Sequence, residues 1–258
     1  MSDWTEETLA SLRAARFTPR AWLAFLSASF RRARELRTTY PRAHRTLLAV
    51  AAGGAAVWLA LGIAGEQRLA AVAAPWWLAA CLMADWHLGM LDRRDRFGAA
   101  NTLTLLRAGT VPAILLLGRH PAGLALFAAA GASDVLDGFV ARSRGETTRL
   151  GLWLDGSVDG LVLTAAALVA LPAWAGALVI SRHLLPWAVI GASYFLRAQR
   201  PPLQGFVSGR IPGLVTFTGL ALALLGVAGA EYLAAAGAVG GLGTFTAGAL
   251  RTRAYALQ

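Results

Sequence analysis

Residues 133–160 read SDVLDGFVARSRGETTRLGLWLDGSVDG, and this stretch decides how the chain is understood. It holds four aspartates: Asp134, Asp137, Asp155 and Asp159. The first two are three positions apart and the last two four, so each pair shares one face of a helix. Apolar residues flank both pairs. The carboxylates therefore sit at or near membrane depth, where an unpaired charge is costly by a few kcal/mol or more. Four anions held together there need cations. The pattern points to a divalent-metal site between two helices, with a phosphate as the usual reason to build one.

Outward from that stretch, 57% of the 258 residues are hydrophobic and only 15% are charged. A soluble domain of this length carries more charge. Apolar runs of about 18 to 22 residues predict a polytopic, all-α membrane bundle. The single cysteine, Cys81, lies in such a run, which excludes a disulfide framework and reads as a small buried apolar residue. All 24 basic residues are arginine, giving a net charge of +10. Because they fall between apolar spans, orientation in the bilayer and anionic lipid explain them better than nucleic acid does.

Eight hydrophobic spans can be drawn: 46–63, 70–90, 102–117, 122–141, 150–171, 173–196, 211–229 and 232–250. With a cytosolic N-terminus, all but Arg68, Arg119 and Arg182 fall at cytosolic ends. By the positive-inside rule both termini are expected in the cytosol, and at the plasma membrane if the source is bacterial. The same topology brings the two aspartate pairs together at the cytosolic membrane edge, joined by the polar linker Ser143–Arg149.

The first 43 residues are polar and arginine-rich and do not look like a cleaved signal peptide. Thr18-Pro19 predicts a helix start, with threonine as cap and proline in the first turn. Trp22, Phe25, Leu26 and Phe30 follow at helical spacing. This basic amphipathic arm either lies on an anionic leaflet or packs on the protein's own cytosolic face.

The skeleton formed by Asp134, Asp137, Gly138, Ala141, Arg142, Gly151, Asp155 and Asp159 is D-x2-D-G-x2-A-R-x8-G-x3-D-x3-D. It resembles the pattern of the CDP-alcohol phosphatidyltransferase family at every fixed position. Upstream, residues 101–107 read NTLTLLR, similar to the N-x-L-T-x-x-R segment that opens the family's core. The resemblance runs over roughly residues 97–253. It implies a six-helix core (97–258), preceded here by a two-helix transmembrane extension (44–96) and the arm (1–43).

The resemblance also implies a reaction: attack of an alcohol on a CDP-linked donor with release of CMP. Phosphatidyl transfer from CDP-diacylglycerol to a small polar alcohol is the expected form. Two magnesium or manganese ions are implied, held by Asp134, Asp137, Asp155 and Asp159, and an all-carboxylate set suits such hard cations. Asp159 is implied as the base, a role compatible with its being a fourth ligand. Gly138 and Gly151 would let nucleotide backbone approach the helices. Arg142 could bind a donor phosphate, and Thr148 falls near the implied nucleotide. Asn101 and Thr104 read as donor or metal contacts, or as a helix cap. Arg197, Arg200, Arg210 and Arg251 are candidates for a phosphorylated acceptor, or simply obey the charge rule.

Other features remain open. Arg182-His183 inside the sixth span are either functional or paired with a carboxylate or helix end. Asp85 and His87 could bind metal but read better as a solvated helix end. The tryptophans fit interfacial anchoring or packing. Glycines of the last spans permit close helix contact, within a subunit or across a homodimer. The rivals are head-group transfer from a CDP-alcohol to a lipid alcohol, a carboxylate-lined cation transporter, and a catalytically silent membrane scaffold. A transporter has no need of Gly138, Arg142 and Gly151 at those spacings.

Overall fold

The computed structural model describes residues 3–91, 95–197 and 210–256, and these fold into helices only. In chain order they are α1 (Asp3–Ala14), α2 (Pro19–Thr39), α3 (Pro41–Ile63), α4 (Gln67–Trp86), α5 (Ala99–Leu117), α6 (Pro121–Ser143), α7 (Arg149–Ala170), α8 (Ala173–Arg197), α9 (Arg210–Leu224) and α10 (Ala230–Ala256). Proline opens α2, α3 and α6, where its missing N–H would have no partner anyway. The six helices from α3 to α8 are long and apolar enough to cross a membrane. The chain is thus an all-α, multi-pass membrane bundle. Helix α9 is apolar but short, at 15 residues.

Helix α5 is the spine. It packs along α4, α6 and α7, while α6 and α7 scarcely touch each other. One core joins α5–α7 to α8–α10 through Ile114, Phe127, Ala166, Val179 and Leu220, all fully buried or nearly so. Phe127 stacks on Phe217 with centroids 4.6 Å apart. A second core joins α3 and α4 to α5 around Leu47, Trp77 and Leu105. Pro112 interrupts α5 and cannot donate to the carbonyl of Ala108. The indole N–H of Trp76 on α4 donates to that carbonyl instead, at 2.8 Å. Trp77 donates to Ala51 on α3, Trp187 packs on Trp153, and Trp174 on Tyr232. These five of the nine tryptophans make contacts within the chain, Trp174 while remaining 47% exposed.

Helices α8, α9 and α10 meet around Arg182. Its Nη1 donates to the Thr216 hydroxyl (2.6 Å) and to the Pro212 carbonyl (2.9 Å), with Gly237 O at 3.3 Å. Hydroxyl and carbonyls, not a carboxylate, hold this buried guanidinium. Gly237 and Gly241 on α10 make room for Thr216 and Arg182, and Gly219 on α9 for the backbone of Ala234. These glycines are used inside the subunit, so they lend a homodimer no support.

The N-terminal region departs from expectation in three ways. Helix α1 precedes Thr18 and buries Leu9 and Leu12; its polar composition concealed it. Thr18 occupies the cap position of α2 but its side chain makes no capping bond. Trp22 and Phe25 pack on Phe195 of α8, with centroids 5.4 and 6.0 Å apart, and Phe30 packs on Trp86, while Leu23 and Leu26 face outward. Asp85 is not a solvated helix end. It is buried, accepting from Arg37 Nε at 2.7 Å and meeting His44 Nδ1 at 2.6 Å. Those partners lie 48 and 41 residues away, too far for a local pattern to reveal.

Candidate active site

The four aspartates converge in a cleft between α6 and α7, floored by α5. The linker between the two helices fixes their spacing. Gly145 adopts φ +60°, in the left-handed region that closes a helix C-terminus, and Glu146 N–H donates to Ala141 O. Thr148 then caps α7, its hydroxyl accepting from Gly151 N–H at 3.0 Å. Glu146 turns back to α5, where Oε2 accepts from Ala99 N–H at 3.1 Å and supplies a cap that Gly98 lacks. The linker is thereby tied to the start of the spine.

Three residues of α5 face the cleft: Asn101, Thr104 and Arg107, each three positions from the next and each buried. The Asn101 carboxamide oxygen lies over Gly151, where an added Cβ would stand 2.7 Å from it. Because α5 starts at Ala99 after Gly98, Asn101 is not its cap. The Thr104 hydroxyl donates to Asp137 Oδ2 at 2.8 Å.

Arg107 meets all four carboxylates. Its Nη1 lies 2.9 Å from Asp134 Oδ1 and 3.2 Å from Asp137 Oδ2, both on α6. Its Nη2 lies 2.5 Å from Asp155 Oδ1 and 2.8 Å from Asp159 Oδ1, both on α7. One arm of the guanidinium therefore holds each pair. The Arg107 side chain is 1% exposed and Asp137 6%, but Asp134, Asp155 and Asp159 are 46%, 43% and 38% exposed. The cleft has a cationic floor and an open anionic mouth.

Sequence reasoning placed Arg107 in the upstream segment and among the arginines at helix ends, not among the carboxylates. The available signal was its register with Asn101 and Thr104. The space beside Gly138 is taken by Arg142, whose Nη1 lies 3.1 Å from where a Cβ would be. The side chains of Arg197, Arg200, Arg210 and Arg251 lie outside the described residues.

Ligand oxygens of Asp134, Asp137 and Asp155 all lie within 4.8 Å of one another. Three hard oxygen donors at that spacing, already drawn around a cation, fit a hard divalent ion. Beside them is a cleft of ≈ 200 Å³ lined by Arg96, Gly98, Asn101, Arg144, Glu146 and Thr148.

A family profile described as CDP-alcohol phosphatidyltransferase matches residues 97–246. The chain belongs to that family. It is a membrane-embedded CDP-alcohol phosphotransferase with an acidic cluster fit for a divalent metal. Over 162 residues this phosphotransferase is 31% identical to proteins of two Mycobacterium tuberculosis strains, CDC 1551 / Oshkosh and ATCC 25618 / H37Rv. Each is described as "Probable phosphatidylglycerophosphate synthase"; the match covers 57% of this chain and 76% of the relative. Over 138 residues it is 28% identical to the "CDP-diacylglycerol--glycerol-3-phosphate 3-phosphatidyltransferase" of Bacillus subtilis (strain 168), covering 45% of this chain and 70% of that one. No solved structure matches the chain at the stringency that returns these relatives.

Proposed function

We propose that this phosphotransferase moves the phosphatidyl group of CDP-diacylglycerol to the hydroxyl of a small polar alcohol, releasing CMP, with glycerol 3-phosphate as the acceptor. The convergence of four carboxylates from α6 and α7 on one point carries the phosphotransfer reading. The names of the mycobacterial and Bacillus relatives support the donor and the acceptor.

Asp134, Asp137 and Asp155, with Asp159, are the residues that would hold two magnesium or manganese ions. Bound there, such ions would neutralise the donor pyrophosphate and stabilise charge on the leaving CMP. Asp159 is assigned as the base that takes the acceptor's proton, as the family resemblance implies; at 38% exposure it is open to an acceptor. Arg142 and the cleft beside Asn101 and Thr148, with Arg96 and Arg144 at its rim, are assigned to the nucleotide and its phosphates. Arg197, Arg210 and Arg251 are assigned to the acceptor phosphate. The distribution of arginines supports a cytosolic site and cytosolic termini, with α9 and α10 completing an eight-span arrangement of six core and two additional helices.

The test uses full-length protein in detergent. With Mn2+ or Mg2+ it should release CMP from CDP-diacylglycerol when glycerol 3-phosphate is supplied, and Asp159→Asn should stop release. Release with inositol phosphate or serine but not glycerol 3-phosphate would replace the acceptor. No release from any CDP donor would sink the transferase reading.

A further inference from the structure

Arg107 uses the site differently from the other buried arginine of the bundle. Arg182 is held by a hydroxyl and backbone carbonyls, groups that remain in place whatever binds nearby. Arg107 is held through Nη1 and Nη2 by the four carboxylates, and its buried Nε, like that of Arg182, has no hydrogen-bond partner among the described residues. Its head is therefore fixed only by the groups that would ligate metal. The charges do not balance either. Four carboxylates against one guanidinium leave a formal −3 in the cleft, which favours taking up more positive charge.

The guanidinium engages one oxygen of each carboxylate. A hard divalent ion needs such oxygens at about 2.0–2.6 Å, with its own geometry around them. The guanidinium holds them at 2.5–3.2 Å, spread over two nitrogens. An ion that took these oxygens would compete with the guanidinium for the same lone pairs.

We propose that Arg107 is a built-in counter-cation: it holds the α6 and α7 carboxylate pairs together before metal binds, and divalent ions displace it from them. It is a positioning residue, and its presence weakens metal affinity while making the metal-free protein stable. This rests on the acidic cluster being a divalent-cation site, and not on which alcohol is the acceptor.

Two measurements on the full chain in detergent test it, neither requiring turnover. Mn2+ is titrated by electron paramagnetic resonance, and thermal unfolding is followed in chelator and in saturating Mn2+. Arg107→Gln should bind Mn2+ at least tenfold more tightly than wild type, unfold at a lower temperature in chelator, and gain more from Mn2+. Should Arg107→Gln fold only when Mn2+ is present, the ion has replaced the arginine and the proposal stands. Where it fails to fold under both conditions, Arg107→Lys decides, because a single ammonium cannot bridge both pairs and its Mn2+ affinity should also exceed wild type.

Unchanged or weaker Mn2+ binding in the folded variant overturns the displacement but leaves the metal site intact. Absence of Mn2+ binding in both wild type and variant overturns the displacement and the metal site together. Failure to release CMP, with the competition intact, overturns only the assigned reaction.

Discussion

Replacing Thr104 with valine tests whether the spine helix tunes the carboxylates it supports. Thr104 is 3% exposed, and its hydroxyl donates to Asp137 Oδ2 at 2.8 Å. Valine keeps the shape and removes the donor, leaving that oxygen only the longer 3.2 Å contact to Arg107. A hydrogen bond to a charged group contributes about 1.5–3 kcal/mol. If that energy orients Asp137 for metal, its loss is worth roughly tenfold to a hundredfold in affinity, the usual range for a group supporting a metal ligand. The Mn2+ dissociation constant of Thr104→Val should therefore rise by that factor. CMP release should need correspondingly more Mn2+ and recover at saturation. Thr104→Ser, which restores the hydroxyl, should return both values towards wild type. Equal Mn2+ affinity in the valine and serine variants would refute the reasoning, because the hydroxyl, which also lies 3.1 Å from Ala100 O, would then be only a structural contact to its own helix.

Trp76→Phe should destabilise the protein by about 1–3 kcal/mol, because the Ala108 carbonyl loses its substitute donor. Adding Pro112→Ala should recover part of this by restoring a backbone N–H, and thermal unfolding that shows no recovery would count against the explanation. Gly151→Ala sets a Cβ 2.7 Å from Asn101 Oδ1 and 3.3 Å from Thr148 Oγ1. Overpacking of that kind costs about 1–3 kcal/mol, so the unfolding midpoint should fall without any nucleotide present. A normal midpoint with only a raised donor KM would show that the glycine serves nucleotide approach instead. Asp85→Asn removes the anion between Arg37 and His44. Losing a hydrogen-bonded charge of this kind costs about 1.5–3 kcal/mol, and trypsin should cut at the arginines of α2 faster; an unchanged digestion rate would exclude this cluster as the anchor of the arm.

Local spacing made half of the site legible. Asp134 and Asp137, then Asp155 and Asp159, are separated by one helical turn, so the period alone puts each pair on one face. Their convergence followed from the short linker between the two helices. Arg107 was harder to read because it is one of 24 arginines, and the charge rule for membrane loops already accounted for an arginine near a helix end. Gly138 and Gly151 were read as clearance for a nucleotide, whereas the structure sets side chains of the protein beside both. What fills the clearance, the Arg142 fork and the Asn101 amide, depends on side-chain direction and on a neighbouring helix. The partners of Arg182 are carbonyls and a threonine hydroxyl, which no residue pattern marks. Asp85 was misread for a related reason: a carboxylate near a helix end is usually solvated, and only the return of α2 and α3 buries it.

These observations assign α5 more of the site than its sequence suggests. The helices that carry the aspartates barely touch each other, so neither can set the distance between the pairs. Helix α5 sets it three times over. Glu146 ties the linker to the first N–H of α5, Asn101 occupies the space that Gly151 leaves on α7, and Arg107 reaches both pairs. Further along, the Trp76 bond to Ala108 holds the same helix where proline weakens it. A spine with two arms that pack on it separately leaves the mouth of the cleft free to accept a divalent metal without breaking an α6–α7 interface. The carboxylates provide the chemistry of the site; the geometry that makes it usable belongs to the one helix of the three that carries no carboxylate.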